Sequence, residues 1–364
     1  MLRHASCPAY SRLMDQPNSP RSPVEPSDLV AIVRDPAWLA DRYDTDQDVV
    51  HFRHVSRDAH RAATFLTDEY LPVGRIVPVP RTTALAGAGS VASLNFILHS
   101  AFCCSTLLAR AVDVEGAAMG LKEPVILNDL VGWKRRGGDP RAVARALDGA
   151  LTLLARPFNV GEAVVVKPSN IVNCLAPAML AMRAEARALL LHAPLRIFLT
   201  SVAKKGMWGR LWVRELLAGQ LRDGMVDLGF DGDAYFRQTD LQVAAVGWLA
   251  QQALFARLIA TYGGDRVRSL DSDALMAAPT AVMKQLITLF GMTVDAEGVE
   301  KIVAGPAFNR HSKFGTTFNS RARSGEYRDA GAAHAEEIDK VALWAEAVAV
   351  QAGVPMRLGA PLLG

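Results

Sequence analysis

The sequence lacks any cysteine pattern that could serve as a disulfide framework or a zinc site. It has four cysteines, Cys7, Cys103, Cys104 and Cys174, with no pair of CxxC clusters. Adjacent Cys103 and Cys104 cannot bridge without strain, so reduced thiols in a cytoplasmic protein are expected. An excess of either charge is also missing: 40 Lys and Arg against 37 Asp and Glu leave +3. That is too mild for a nucleic-acid surface, which needs a concentrated basic stripe, and leaves room for a local anion pocket. After Arg3 and His4 the N-terminus has Pro, Ser, Asp and Arg where a secretory signal needs an apolar run. The longest charge-free stretch, 82–109, is broken by Gly87, Gly89, Ser90, Ser93, Asn95, His99 and Ser100, so it reads as linker, strand and loop and not as a membrane span.

What is present is an apolar, periodic chain, 50% hydrophobic, which can bury a sizeable core. Residues 1–27 stand apart: five prolines among Ser, Arg and Asp cannot bury enough surface to offset ordering entropy, and a disordered tail is expected. From Ser27 to about Leu71 apolar residues recur at helical spacing, and Pro72–Gly89 reads as a connector, so 28–90 is expected to be a helical extension and linker. Strands are predicted at Leu94–Leu98, Gly120–Lys122, Ala163–Lys167, Arg196–Thr200 and Arg266–Leu270. Helices are predicted at Thr106–Ala117 and near 140–155, 175–191, 207–223, 237–262, 280–290 and 332–352. Alternating strands and helices predict an α/β fold, a three-layer parallel sheet covered on both faces, over 91–364.

In such a sheet, ligands bind outside the carboxyl ends of the strands. His99–Ser105, Glu123, Lys167–Asn170, Thr200–Lys205 and Asp271–Asp273 are therefore expected on one edge. The turn in FILHSAFCCSTLL (96–108) presents Ser105 and Thr106 where a helix begins, a place for phosphate or sulfate. The GxxxxGK[ST] pattern is absent, with neither glycine nor lysine in the turn, which disfavours an ordinary ATP or GTP loop. A plain strand-to-helix connection explains the same residues. No second His or carboxylate sits at ligand spacing from His99 or His311, so no metal is expected. Small side chains filling a tight loop are the better reading of Cys103 and Cys104 than a nucleophile, since no Cys-His-Asn signature accompanies them. Trp208 and Trp212, four apart, read as one packed helix face in preference to a wall of an acceptor pocket.

Residues 96–113 resemble the first strand, phosphosulfate loop and helix of sulfotransferases of the tyrosylprotein and bacterial types, whose loop reads P-R/K-S-G-T-T-L. Laid without a gap, Ser-Gly-Thr-Thr falls on Cys103, Cys104, Ser105 and Thr106, while the basic residue falls on Phe102. LKEP (121–124) is similar to the strand-end segment carrying that family's catalytic base, and VVVKPSN (164–170) to the strand whose terminal Lys supports the transferring group. Residues 269–292 resemble the late strand, turn and helix ending in FLGL.

The resemblance implies a P-loop nucleotide-binding, sulfotransferase-like fold and 3′-phosphoadenosine-5′-phosphosulfate (PAPS) as co-substrate, with a small-molecule or peptide acceptor. It implies Glu123 as base and Lys167 as stabiliser of the leaving group, roles that suit a carboxylate and an ammonium. A helix-start acid before Pro124 and a strand-end lysine reaching water fit the same two residues. His99, Ser100, Cys103, Cys104, Ser105, Thr106 and Ser169 would line the 5′ side. The family's 3′-phosphate Arg is not matched in LRIFLTSVAKKGMWGR, so Ser201 and Lys204, with Arg321 and Arg323 from a basic loop near Gly325, are the candidates there; solvated basic turns have the same composition. A kinase-like phosphotransferase, or a non-catalytic binding protein on the same fold, is the alternative function.

Overall fold

The computed structural model describes residues 26–309 and 320–364, with the side chains of 26–27 and 320–333 outside the description. Helix α1 (Pro26–Arg34) leads into three antiparallel strands, β1 (Trp38–Asp44), β2 (Val49–His54) and β3 (Ile76–Pro80), interrupted by α2 (Arg57–Ala62) and followed by α3 (Arg81–Gly87). The segment 28–90 is thus not helical throughout. The apolar spacing of 38–54 is the alternation of a hairpin, with Leu39, Val50 and Phe52 buried, and the expected connector 72–89 holds β3 and α3.

The second sheet comprises β4 (Leu94–His99), β5 (Ala118–Lys122), β6 (Ala163–Lys167), β7 (Ala188–His192) and β8 (Val267–Asp271), all parallel, in the order β5-β6-β4-β7-β8. Side chains alternate between two cores. Ile97, Val165, Leu189, Leu191 and Leu270 face one; Phe96, Leu98, Val164, Val166, Leu190 and Val267 face the other. Burial of both faces is why these strands read as unbroken apolar runs.

The first core is covered by α4 (Ser105–Ala111), α8 (Leu195–Lys204), α9 (Gly206–Arg222), the first half of α11 (Asp240–Tyr262), α13 (Pro279–Phe290) and α16 (Ser320–Ala352). The second is covered by α5 (Val125–Arg135), α6 (Pro140–Leu154), α7 (Ala176–Met182) and the antiparallel sheet, whose Leu39, Phe52, Val77 and Val79 share a core with Leu98 and Leu121. Short helices α10 (Gly232–Arg237), α12 (Ser272–Ala277), α14 (Ala296–Ala304) and α15 (Pro306–Asn309) complete the chain. Among the described residues one helix, α11, is long and apolar enough to cross a membrane, and 72% of that window is buried in the fold.

The expected strand at Arg196–Thr200 does not exist. Residues 195–204 are α8, and the strand is ALLLH at 188–192, where a helix is expected from sequence. Pro194 separates the two runs and disfavours a helical residue before it, so the first run ends as a strand and the second starts as a helix. The basic loop expected around 320–325 is instead the beginning of α16.

Polar side chains fasten the parallel sheet to α2 and brace the antiparallel sheet. Lys122, fully buried, donates from Nζ to the carbonyls of His60 (2.7 Å) and Arg61 (3.0 Å) at the end of α2, where a cation is favoured by the helix dipole. Burial pushes its pKa down to about 8, opposed by the nearby Asp113 carboxylate. Arg53 pairs with buried Asp41 at 2.6 Å and also with Asp68, which accepts from Arg42 as well.

Candidate functional site

The carboxyl ends of β4, β5 and β6 bring together residues far apart in the chain. Lys122 and Lys167 are register partners on β5 and β6, so Glu123 leaves its strand opposite the end of β6. Its amide donates to the Lys167 carbonyl at 2.7 Å, and its carboxylate Oε1 accepts from Lys167 Nζ in an ion pair spanning 44 residues of sequence. The Lys167 side chain is 1% exposed and that of Glu123 is 19% exposed. The ammonium also lies 5.1 Å from the centre of the Phe65 ring, and Phe65 meets Tyr70 edge-on. Burial, then the neighbouring Glu69, raises the Tyr70 pKa, with Glu123 a smaller contributor. The segment 63–71 is therefore a wall of the site, fastened where the Leu66 amide donates to the Lys122 carbonyl at 2.7 Å.

Beside this pair runs the turn from β4 to α4. It contains no glycine, yet Ala101 (φ 71°), Phe102 (φ 53°) and Cys104 (φ 65°) are left-handed, as is Glu123 (φ 56°). Among the described residues six non-glycine positions have such φ values, and four of them are here. Each costs about 1–3 kcal/mol, and strain of this kind persists where the surrounding structure imposes it, commonly at functional sites. The turn is held from several sides. Ser100 donates its amide to the Leu191 carbonyl (3.1 Å) and its hydroxyl accepts from the Ala193 amide (3.2 Å). His99 Nδ1 accepts from the Ala101 amide, and its carbonyl accepts from Asn173 Nδ2.

The other expected residues separate into groups. Ser105 and Thr106 open α4, are buried, and receive no hydrogen bond to their hydroxyls from the described residues. The Cys103 side chain is turned into the core and burial pushes its thiol up to about 12, which removes it as a nucleophile. Cys104 is the half-buried residue before α4 and makes no side-chain cap. Ser169 precedes the 3-10 turn Asn170–Leu175 and is likewise not a side-chain cap. The structure does not bring Ser201 and Lys204 to a strand end. Ser201 lies on the buried face of α8, its hydroxyl donating to the Ile197 carbonyl at 2.8 Å, and Lys204 is exposed at the end of that helix. Arg321 and Arg323 fall on the backbone of α16 and their side chains lie outside the described residues, as does His311 altogether.

Phe102, at the position where a basic residue is expected, packs its ring against Phe198 (5.7 Å) and Trp212 (5.3 Å), with Trp208 stacked on Trp212. The strand-end residue on β7 is His192, which sequence reasoning misses; the signal that finds it is Pro194 closing the ALLLH run. His192 is the register partner of Asp271, and its Nδ1 is buried without a hydrogen-bond partner, as is the Ser272 hydroxyl next to Asp271. Burial lowers the His192 pKa, with Asp271 acting in the opposite direction. Among the described residues no group of three or more His, Cys, Asp or Glu could hold a metal ion.

Solved structures similar to this one include sulfotransferases and sulfotransferase domains. They include the sulfotransferase domain of the Synechococcus PCC 7002 olefin synthase, with 13% identity and a TM-score of 0.39 over 64% of this chain and 84% of that one. The sulfotransferase domain from the curacin biosynthetic pathway has 13% identity and a TM-score of 0.39 over 63% and 85%. Sulfotransferase STF9 from Mycobacterium avium has 14% identity and a TM-score of 0.40 over 69% and 77%. No family model matches the sequence, and no curated protein matches it.

Proposed function

We propose that this chain transfers a sulfuryl group from PAPS to a hydroxyl or amine of a small-molecule or peptide acceptor. The observation that carries the reading is the Glu123–Lys167 pair at the carboxyl edge of the sheet, beside a strand-to-helix turn held in left-handed conformations. When bound, the donor supplies an activated sulfuryl group on a phosphate leaving group. As the acceptor oxygen or nitrogen bonds to sulfur, the bond from sulfur to the bridging phosphate oxygen breaks and its electron pair stays on the bisphosphate. Glu123 takes the acceptor's proton, and Lys167 and the Ser105 and Thr106 hydroxyls stabilise the charge that grows on the bridging oxygen. In the resting site the Glu123 carboxylate is held by its ion pair with Lys167.

The residues present suit such an anion on its 5′ side, where the Ser105 and Thr106 hydroxyls are unengaged by described residues and a buried cation stands near. On the 3′ side the strand-end place that the resembled family gives to Arg falls on His192, whose buried Nδ1 lacks a partner. Ser201 bonds within its own helix and fits less well. Cys103 and Cys174 are free thiols, which suits a cytoplasmic setting.

The test is a thermal-shift comparison. Adenosine 3′,5′-bisphosphate raises the melting temperature and Mg-ATP does not, because a ligand stabilises the native state it binds. Glu123→Gln then lowers turnover with PAPS by about 10²–10⁴-fold while keeping the shift. A second reading is favoured by one observation: Phe102 fills the place of the loop cation with an aromatic cluster, as in a binding protein that keeps the sheet without the reaction. Stabilisation by neither nucleotide is its signature.

A further inference from the structure

His99 ends the central strand and is 4% exposed. Both ring nitrogens are engaged. Nδ1 lies 3.1 Å from the Ala101 amide and Nε2 lies 3.0 Å from the Pro168 carbonyl. An amide N–H can only donate and a carbonyl can only accept, so the ring is neutral and carries its proton on Nε2. The first bond holds the turn at Ala101, the first of its three left-handed residues; the second holds the carbonyl of Pro168, the residue after Lys167. The Lys167 carbonyl in turn accepts from the Glu123 amide. One imidazole thus links the strained turn to the strand end bearing the ammonium, and through it to the carboxylate.

We propose that neutral His99 is a positioning residue: its ring holds the left-handed backbone of the turn in place at Ala101 and sets the turn against Lys167 and Glu123. The proposal rests on the transferase reading for the ligand that the turn meets, and on the hydrogen bonds alone for the clamp itself. Its physical content is a division of labour between the two nitrogens. An Asn side chain can place its oxygen near the Nδ1 position and keep the bond from Ala101, losing Pro168. A Gln side chain can reach Pro168 from its amide nitrogen and gives up the tight return to Ala101.

The experiment compares wild type with His99→Asn, His99→Gln and His99→Leu. In the wild type, 15N-resolved imidazole NMR at pH 7.5 is expected to show a neutral ring protonated at Nε2. Amide exchange at 100–104 is expected to be slow in wild type and His99→Asn, and faster by about tenfold or more in His99→Gln and His99→Leu. The Kd for adenosine 3′,5′-bisphosphate follows the same order, within about threefold of wild type for Asn and weakened about tenfold or more for Gln and Leu. A generally structural histidine would not be rescued by Asn alone. A wild-type ring that is charged or protonated at Nδ1 overturns the proposal even if no variant folds, and so does unchanged exchange at 100–104 in His99→Leu. A wild type that ignores the bisphosphate sinks the transferase reading alone, and the tautomer and exchange data still judge the clamp.

Discussion

Glu123 and Lys167 are joined twice, by main chain and by side chain. The Glu123 amide donates to the Lys167 carbonyl, and the Lys167 ammonium returns to the Glu123 carboxylate. The double link makes the position of the carboxylate a property of the sheet edge, and it gives the pair asymmetric energetics because the lysine is the more deeply buried partner.

Removing Glu123 strands a buried cation, whereas removing Lys167 leaves a carboxylate that water can reach. Glu123→Gln is expected to lower stability by about 2–3 kcal/mol and Lys167→Met by less, with the double variant more stable than Glu123→Gln. Urea unfolding of the three proteins measures this; equal losses for the two single variants would contradict the assigned burial. In the sulfuryl-transfer assay Glu123→Gln is expected to lose about 10²–10⁴-fold in turnover.

The left-handed turn gives a prediction of opposite sign. Ala101→Gly relieves a strained φ and is expected to raise stability by about 1 kcal/mol after the glycine's own entropy loss. Ala101→Val, branched at Cβ, is expected to lower it by about 2 kcal/mol. Denaturant midpoints decide, and a destabilising glycine would mean that the turn is not strained there.

His60 supplies a pH dependence. It is buried, its two ring nitrogens have no hydrogen-bond partner, and burial, followed by the nearby Lys122 charge, pushes its pKa down to about 3. Between the ordinary histidine value of 6.5 and about 3, the unfolded chain takes up a proton that the folded chain refuses. This contribution to stability is complete above 6.5 and is lost as pH falls, at a slope of up to about 1.4 kcal/mol per pH unit. His60→Leu is expected to flatten that slope in unfolding experiments from pH 7 to 4; an unchanged slope would assign acid sensitivity elsewhere.

Gly120 sits inside β5, two residues before Lys122. A Cβ there would stand 2.6 Å from the Ala109 carbonyl oxygen and 3.1 Å from Asp113 Cβ, so backbone would have to move. Gly120→Ala is expected to cost about 1–3 kcal/mol and to weaken bisphosphate binding by shifting the strand that leads into Glu123. A variant with wild-type stability would show that β5 has slack.

Much of the parallel sheet is legible from local pattern. Ala163–Lys167 is a short β-branched run between turn residues, and it admits one reading; the runs at β4 and β8 are nearly as clear. At 188–204 two apolar runs follow each other, and length and composition do not say which is strand and which is helix. The choice is made by what each run buries. Ala188–His192 takes its hydrogen bonds from β4 and β8 on either side, while α8 buries Phe198, Leu199 and Val202 along one face and leaves Arg196 outside. The hairpin at 38–54 is read as helix for a related reason, since the alternation that marks it emerges only when the two strands pair.

The sequence by itself determined the α/β character, the strand that ends in Lys167 and the candidacy of Glu123, because burial on both faces and proline or glycine punctuation act over a few residues. Only the tertiary structure decided that Glu123 meets Lys167, that His99 ties the turn to β6, and that Ser201 belongs to a helix face. Those outcomes follow from the strand order β5-β6-β4-β7-β8. Inter-strand hydrogen bonds between residues dozens of positions apart fix that order, and no local window contains them.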